Sequence, residues 1–257
     1  MKRHTFLSVV RFVAGRNLRA MTKNPIVFLS SLAFPLLFFI AFVGALSSVS
    51  KVKGFSGDYE SFQYVFSLMM TACFQGASGG SSLADDFESG FIRRLWVAAR
   101  QRTAIVTGYV LATFIRFAIG AAGLTAVAFA FGMDVTGNWK DLLAFYVLAA
   151  LVNLFATLWS AGIATQLRSG SAAPAMILPM FLLLFLAPVF TPLALMTGWL
   201  QDVARYNPMT RFLEAGRGFL VGLHVDVALA FGLAGGLVIF TTVWAVLGIR
   251  SAERAGP

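Results

Sequence analysis

The chain has 257 residues, of which 58% are hydrophobic and only 12% are charged, and its formal net charge is +9. This composition excludes an ordinary soluble domain, because several apolar stretches are longer than the helices of a soluble core. No soluble domain remains to carry a nucleic-acid patch, so the positive charge indicates membrane topology and contact with anionic lipid. The apolar stretches do not alternate with polar residues, and we therefore predict an all-α integral membrane protein.

Residues 1–24 predict an amphipathic helix that lies in the membrane interface. As a helix, residues 4–23 carry basic and polar side chains on one face. The other face is apolar and consists of Leu7, Val10, Ala14, Leu18 and Met21, with Phe6 and Val13 beside them. Anchoring to lipid and docking of a partner protein explain this helix equally well.

Six stretches are long enough to cross the membrane, since about 20 helical residues span about 30 Å of hydrocarbon. They are residues 26–49, 62–83, 104–133, 142–167, 172–192 and 226–249. The first is too long for the core of a signal peptide, so we expect it to be retained. The second is the least hydrophobic, because it contains Gln63, Gln75 and a run of small residues that permits close helix packing.

The basic residues indicate which side of the membrane faces the cytoplasm. Six spans place both termini on one side, and Lys and Arg are concentrated there. They are Lys2, Arg3, Arg11, Arg16, Arg19, Lys23, Arg93, Arg94, Arg100, Arg102, Arg168, Arg250 and Arg254. We therefore predict a multi-pass protein of the cytoplasmic membrane with both termini in the cytoplasm.

The connector of residues 84–103 is the densest charge cluster outside the N-terminus. Asp85 and Glu88 are three residues apart and predict the cap of a short helix, after which Gly90 permits a turn. A compact basic and apolar element, residues 91–96, follows this turn. Such a segment either anchors the chain to anionic lipid or contacts a soluble partner.

Residues 190–223 are too long for a simple loop and too polar for a clean span. Pro192 and Pro208 break this stretch, and residues 209–220 have a helical pattern. We expect a hairpin of two short helices that enters the outer leaflet. It acts either as an outer gate or as an interfacial anchor.

The sequence lacks the residues of the common catalytic and metal sites. Cys73 is the only cysteine, which excludes an intrachain disulfide and a thiolate metal site. His4 and His224 are expected on opposite faces of the membrane, so we predict no metal and no catalytic residue. There is no GxxxxGK(S/T) motif, so an ATP-driven transporter built on this chain needs its motor on a separate polypeptide.

Arg116 is the only ionisable residue deep in a predicted span, about 18 Å from the start of its helix at 1.5 Å per residue. It pairs either with a neighbouring helix, near Asn153 or Thr157, or directly with a substrate. Every carboxylate lies at the edge of a span or in a connector, which disfavours an ion-coupled carrier.

Two motifs carry a resemblance to a known family. The connector has the order E-x-G, then a basic residue and Leu, at Glu88, Gly90, Arg94 and Leu95. The second motif consists of Pro192, Trp199, Leu200, Asn207, Pro208, Thr210, Glu214, Ala215 and Arg217. Over essentially its whole length the chain resembles the membrane subunits of ABC type-2 exporters, particularly the daunorubicin-resistance-like permeases of drug and lipid export. Ala98 and Ala99 stand where many members have proline.

The resemblance implies one transmembrane domain, residues 1–257, with a coupling helix between spans two and three and a re-entrant hairpin before span six. It implies a non-catalytic permease that pairs with a second permease, identical or related, and with two ABC ATPase subunits that bind ATP and Mg. The residues implied in ATPase coupling are Glu88, Gly90, Arg93, Arg94, Leu95 and Arg100.

The resemblance also implies a substrate pathway beside the first, second and fifth spans. The side chains expected to meet a drug or lipid are Phe38, Phe39, Met70, Phe74, Gln75, Met176, Met180 and Phe181. Such side chains also commonly face lipid or neighbouring helices. The outer-gate candidates are Trp199, Asn207, Pro208, Glu214 and Arg217.

Two other functions stay open at this point. A membrane-embedded lipid-modifying enzyme needs Asp202, Glu214, His224 and Asp226 to converge. An ion-coupled secondary carrier transports its substrate without nucleotide.

Overall fold

The computed structural model describes residues 6–23, 25–48, 58–98 and 102–254, and the regular elements of this part are all helical. Short 3₁₀ turns lie at Gly170–Ala172 and Leu193–Leu195. The α-helices are α1 (Phe6–Lys23), α2 (Pro25–Leu46), α3 (Tyr59–Glu88), α4 (Phe91–Ala98), α5 (Thr103–Ala130), α6 (Trp139–Leu167), α7 (Ala173–Phe185), α8 (Trp199–Tyr206), α9 (Pro208–Val221) and α10 (Val227–Arg254).

Helix α3 is the centre of the bundle. It packs against α2, α5, α6, α7 and α9, and most of its side chains are buried. Its first turn is capped by Asp58, whose carboxylate accepts a hydrogen bond from the backbone N–H of Ser61. Glycine allows α6 to approach closely, since a Cβ added to Gly76 would lie 2.7 Å from the Cβ of Ala156.

Three helices of the described ranges are both long and apolar enough to cross a membrane: Thr103–Ala130, Trp139–Leu167 and Val227–Ser251. They confirm long apolar helices at the predicted spans 104–133, 142–167 and 226–249. Helix α2 covers the predicted first span as far as residue 46, and residues 49–57 lie outside the described part. Helix α3 contains the predicted second span and has 30 residues, but its polar side chains lower its mean hydropathy.

The predicted fifth span, residues 172–192, is shorter in the structure. Helix α7 has 13 residues and ends at Phe185, which is about 20 Å at 1.5 Å per residue and less than the thickness of the hydrocarbon. The physical reason is Pro188, because a proline disfavours the helical conformation of the residue before it, here Ala187. An irregular segment then leads into the two short helices α8 and α9.

The predicted cap of a short helix at Asp85 is wrong. Asp85 and Glu88 lie in the last turn of α3, which continues without interruption from the bundle core to Glu88. Gly90 makes the expected turn with a φ of +72°, a conformation that glycine adopts without steric cost. Helix α4 starts directly afterwards, so the connector consists of one helix end, a tight turn and a second helix.

Helix α1 is amphipathic, and its buried face includes Val10, Val13 and Ala14 of the predicted apolar face. The buried residues are Val9, Val10, Val13, Ala14 and Asn17. They face the protein because α1 packs along α5, where a Cβ added to Gly108 would lie 2.7 Å from the Cβ of Val13. Leu7, which was expected on the main apolar face, is exposed.

Candidate functional site

The end of α3 and the whole of α4, residues 85–98, form a bend that is called the elbow below. A buried acidic side chain ties the elbow to α1 and α5. The Asp86 carboxylate accepts hydrogen bonds of 2.5 and 2.6 Å from the Arg16 guanidinium and another from the Tyr109 hydroxyl. Because these hydrogen bonds favour the charged form, Asp86 raises the pKa of Arg16. The same guanidinium lies 3.9 Å above the ring of Phe91 at the start of α4.

A second acidic side chain ties the elbow to the turn between α6 and α7. Glu88 accepts a 2.7 Å hydrogen bond from the backbone N–H of Gly170 and a 3.3 Å bond from the Ser169 hydroxyl. Asp85 stands beside the same turn, and partial burial together with the charges of Asp86 and Glu88 raises its pKa. Glu88 therefore bonds to its own chain, directly before α7 begins.

Helix α4 separates an inner apolar face from an outer basic one. Ile92 is buried, and the ring of Trp96 meets the ring of Phe87 edge-on at 5.6 Å. Arg93 and Arg94 are exposed. A pocket of about 210 Å³ lies between α4, the end of α3 and Arg168. Leu95 is half-buried, and Arg100 lies outside the described residues.

Part of the predicted substrate pathway forms an aromatic cluster in the cleft between α2 and α7. The ring centroid of Phe74 lies 5.9 Å from the ring centroids of Phe34 and Phe181. Phe38 lies 5.5 Å from Phe185 at an almost perpendicular angle. These rings come from three helices, so the structure brings Phe38, Phe74 and Phe181 together as one apolar wall.

The other predicted pathway residues are not part of this aromatic cluster. Phe39 is buried against Phe131, and Met70 is buried in the core. The Gln75 amide donates a 3.0 Å hydrogen bond to the Ser31 hydroxyl. Met176 accepts a weak bond from Ser81, and Met180 lines a separate apolar pocket of about 580 Å³ between α6, α7 and α10.

The predicted outer-gate residues serve mainly to hold α9 in place. Asn207 caps α9 by accepting from the backbone N–H of Met209, and its amide donates to the backbone oxygen of Leu183. Pro208 is the first residue of α9. Arg217 donates a 2.7 Å hydrogen bond to the backbone oxygen of Pro188 and stacks on the ring of Phe62. Trp199 is exposed on α8 and is apart from this set.

The residues proposed for an outer enzymatic site are divided between separate polar contacts. His224 bonds to Asp141 at 2.8 Å, whereas Glu214 and Asp226 both bind Arg211. Among the described residues, no group of three or more His, Cys, Asp and Glu side chains is arranged to hold a metal ion. The arrangement does not support the lipid-modifying enzyme.

Arg116 has neither of the neighbouring-helix partners that the sequence suggested. Its Nε and Nη2 atoms are buried and have no hydrogen-bond partner within the described residues. Asn153 donates instead to the backbone oxygen of Ala72, and Thr157 bonds to Thr113 and to the backbone of α6.

Sequence reasoning missed Asp86, Arg16 and Tyr109 as a set. Asp86 directly follows Asp85, the predicted helix cap, and acidic side chains are scarce in this chain, which is the signal that Asp86 has a partner. The partner itself is 70 residues away, and no local pattern identifies it.

Comparison with known proteins is consistent with this architecture. The ABC-2 type transporter family matches residues 8–221, which include the elbow, the cleft and α9. The chain is also 23% identical over 245 residues to the daunorubicin resistance ABC transporter permease protein DrrB1 of Streptomyces coeruleorubidus. That similarity covers 92% of this chain and 84% of the relative.

Proposed function

The chain belongs to the ABC-2 type transporter family, and we propose that it is an exporter subunit driven by ATP hydrolysis on separate ABC ATPase subunits. Its cargo is a hydrophobic or amphipathic drug or lipid, which moves outward across the cytoplasmic membrane. Two ATPase subunits hold ATP and Mg, and a second permease, identical or related, completes the membrane part.

The construction of the elbow is the observation that carries this proposal. An anchor to lipid requires only an amphipathic helix, whereas α4 is also joined to the bundle through Phe91, Asp86 and Glu88. Its exposed Arg93 and Arg94 are free to contact a partner's acidic or polar groups. A helix that is bound firmly on one side and basic on the other suits the transmission of force.

The contacts of the elbow suggest where that force goes. A displacement of α4 moves the end of α3, and Glu88 transmits the movement to the α6–α7 turn through Gly170. Helix α7 follows that turn and forms one wall of the aromatic cleft through Phe181 and Phe185. Closure of the ATPase pair would thereby change the width of the cleft between α2 and α7.

Co-expression with an ABC ATPase encoded beside this chain tests the proposal. An affinity tag on the permease should retain the ATPase, and the retained complex should hydrolyse ATP. Replacing both Arg93 and Arg94 with Ala should weaken retention roughly tenfold, since a hydrogen bond to a charged group contributes about 1.5 kcal/mol. Stimulation of hydrolysis by an aromatic drug or by phospholipid then separates the two classes of cargo.

The control is Arg205→Ala, which removes an exposed arginine from α8, outside the elbow. This variant should retain the ATPase as well as the unchanged protein does. Equal retention by the Arg93 and Arg94 double variant would contradict the docking role of α4. Uptake into vesicles that requires an ion gradient and no nucleotide would contradict the ATP-driven mechanism.

A further inference from the structure

Helix α3 carries a polar stripe on the side that faces the cleft between α2 and α7. Its members are spaced three or four residues apart, as residues on one helix face are. They are Gln63, Ser67, Met70, Phe74, Ser78, Ser81 and Asp85. Two contacts establish the direction of the stripe: Phe74 meets Phe34 of α2 and Phe181 of α7.

The stripe is open at one end and closed at the other. Asp85 is exposed at the elbow, and Ser78 and Ser81 are half-buried, whereas Gln63 and Ser67 are completely buried. Rings pack beside the closed half: Phe66, which directly precedes Ser67, lies 5.8 Å from Phe38, and Phe38 lies 6.4 Å from Phe190. The aromatic cluster therefore adjoins the buried polar end of the stripe.

Gln63 and Ser67 are unusual because their buried polar atoms have no partner. The Nε2 and Oε1 atoms of Gln63 and the Oγ of Ser67 make no hydrogen bond within the described part of the chain. Other buried polar side chains of this region do find partners, such as Gln75 with Ser31 and Asn153 with the backbone of Ala72. An unpaired buried amide is costly, so a group that is absent from this conformation is expected to complement it.

We propose that Gln63 and Ser67 form a binding site for an uncharged hydrogen-bonding group, a hydroxyl or an amide, of an amphipathic aromatic cargo. This proposal rests on the proposed export function. The polar group of the cargo would lie on the stripe, and the apolar body of the cargo would lie among the rings of the cleft. The Gln63 carboxamide can both donate and accept a hydrogen bond, so it can pair with a hydroxyl or with an amide of the cargo. Residues 61–84 contain no charged side chain, and Arg217 of α9, which lies on the ring of Phe62, already donates to the backbone oxygens of Phe62 and Pro188, so the site suits an uncharged group.

The conformation in the structure is the closed form of this site. Phe38 of α2 and Phe185 of α7 meet each other and the ring of Phe66, which directly precedes Ser67 on α3, and in the proposed open form their separation gives access to Gln63 and Ser67. Because α7 follows the turn that Glu88 holds, opening of the site is linked to movement of the elbow.

Binding of a matched pair of fluorescent probes tests the proposal. The probes are 1-pyrenebutanol and its methyl ether, which share the aromatic body and differ in the hydroxyl donor. The full chain, purified alone in lipid nanodiscs, should bind the alcohol about fivefold more tightly than the ether, as expected for one additional hydrogen bond. Gln63→Met, which keeps the volume and removes the amide, should abolish that preference, and Ser67→Ala should reduce it.

Thermal stability separates this site from a purely structural role. Since the Gln63 amide has no partner among the residues that the structure describes, Gln63→Met should leave the unfolding temperature unchanged or raise it. Thr242→Val on the exposed face of α10 serves as the control for both measurements. If Gln63→Met fails to fold, the smaller change Ser67→Ala still reports on the preference.

Three results would overturn the site. One is equal binding of alcohol and ether by the unchanged protein, and another is a preference that survives both substitutions. The third is a marked fall in unfolding temperature for Gln63→Met with the preference intact, which would indicate a structural water instead. Because the permease is tested alone, these results are independent of whether an ATPase copurifies with it.

Discussion

Asp86 and Glu88 hold the elbow in place through hydrogen bonds to different parts of the chain. Asp86 is buried and bonds to Arg16 and Tyr109, so it joins α3 to α1 and α5. Glu88 is exposed and bonds to the backbone N–H of Gly170, so it joins α3 to the start of α7. We therefore propose that Glu88 serves the coupling role implied by the family resemblance by positioning the start of α7 within its own chain.

Glu88→Ala should uncouple the elbow from α7 without releasing the ATPase. The bond that it removes is charge-assisted but exposed, so unfolding free energy should fall by only about 1 kcal/mol. Transport in proteoliposomes should fall severalfold while ATPase retention stays unchanged. The matched control is Glu60→Ala at the other end of α3, and loss of retention in Glu88→Ala would show instead that Glu88 contacts the ATPase.

At the level of elements, the orientation of α4 depends on one turn. Gly90 has a positive φ, and α4 starts at the next residue. No side chain lies near the position that a Cβ on Gly90 would take, so the constraint comes from the backbone conformation and not from packing. A residue other than glycine there must adopt the left-handed region, which costs roughly 1–2 kcal/mol.

Gly90→Ala should therefore lower the unfolding free energy by about 1 kcal/mol and shift α4 from its contacts with Phe87 and Arg16. We expect reduced ATPase retention as well as reduced transport, in contrast to Glu88→Ala. Gly123→Ala in the middle of α5 is the control, since its Cβ would meet open space and alanine favours the helix by about 0.5–1 kcal/mol. Thermal unfolding in detergent compares Gly90→Ala with Gly123→Ala. An equal change of stability in the two variants would contradict the special role of the Gly90 turn.

For the whole molecule, α3 divides two packing regions. One hydrophobic core surrounds its first half together with α2, α6, α7 and α9, and the second surrounds its last two turns with α1, α4 and α5. The basic residues are concentrated at the end of the second core, with Arg93 and Arg94 in α4 and Arg168 at the end of α6. The prediction that the elbow lies in the cytoplasm rests on these same basic residues.

Cysteine labelling tests that topology. Cys73 is the only cysteine and is buried, so Cys73→Ala provides a cysteine-free background. In intact cells Lys140→Cys, at an exposed site at the start of α6, should react with a membrane-impermeant maleimide from outside. Arg94→Cys should react only after the cells are opened. The reverse pattern would contradict the predicted orientation.

The membrane class, the family and the three long apolar helices follow from the sequence alone, because long apolar stretches and short motifs are local patterns. The tertiary structure decided what those patterns are paired with. It showed that α7 ends early at Phe185, that Glu88 bonds to Gly170, and that Gln63 and Ser67 are buried without a hydrogen-bond partner in the described part of the chain. Each of these depends on residues far apart in the chain or on packing around a proline, which hydropathy and spacing do not encode.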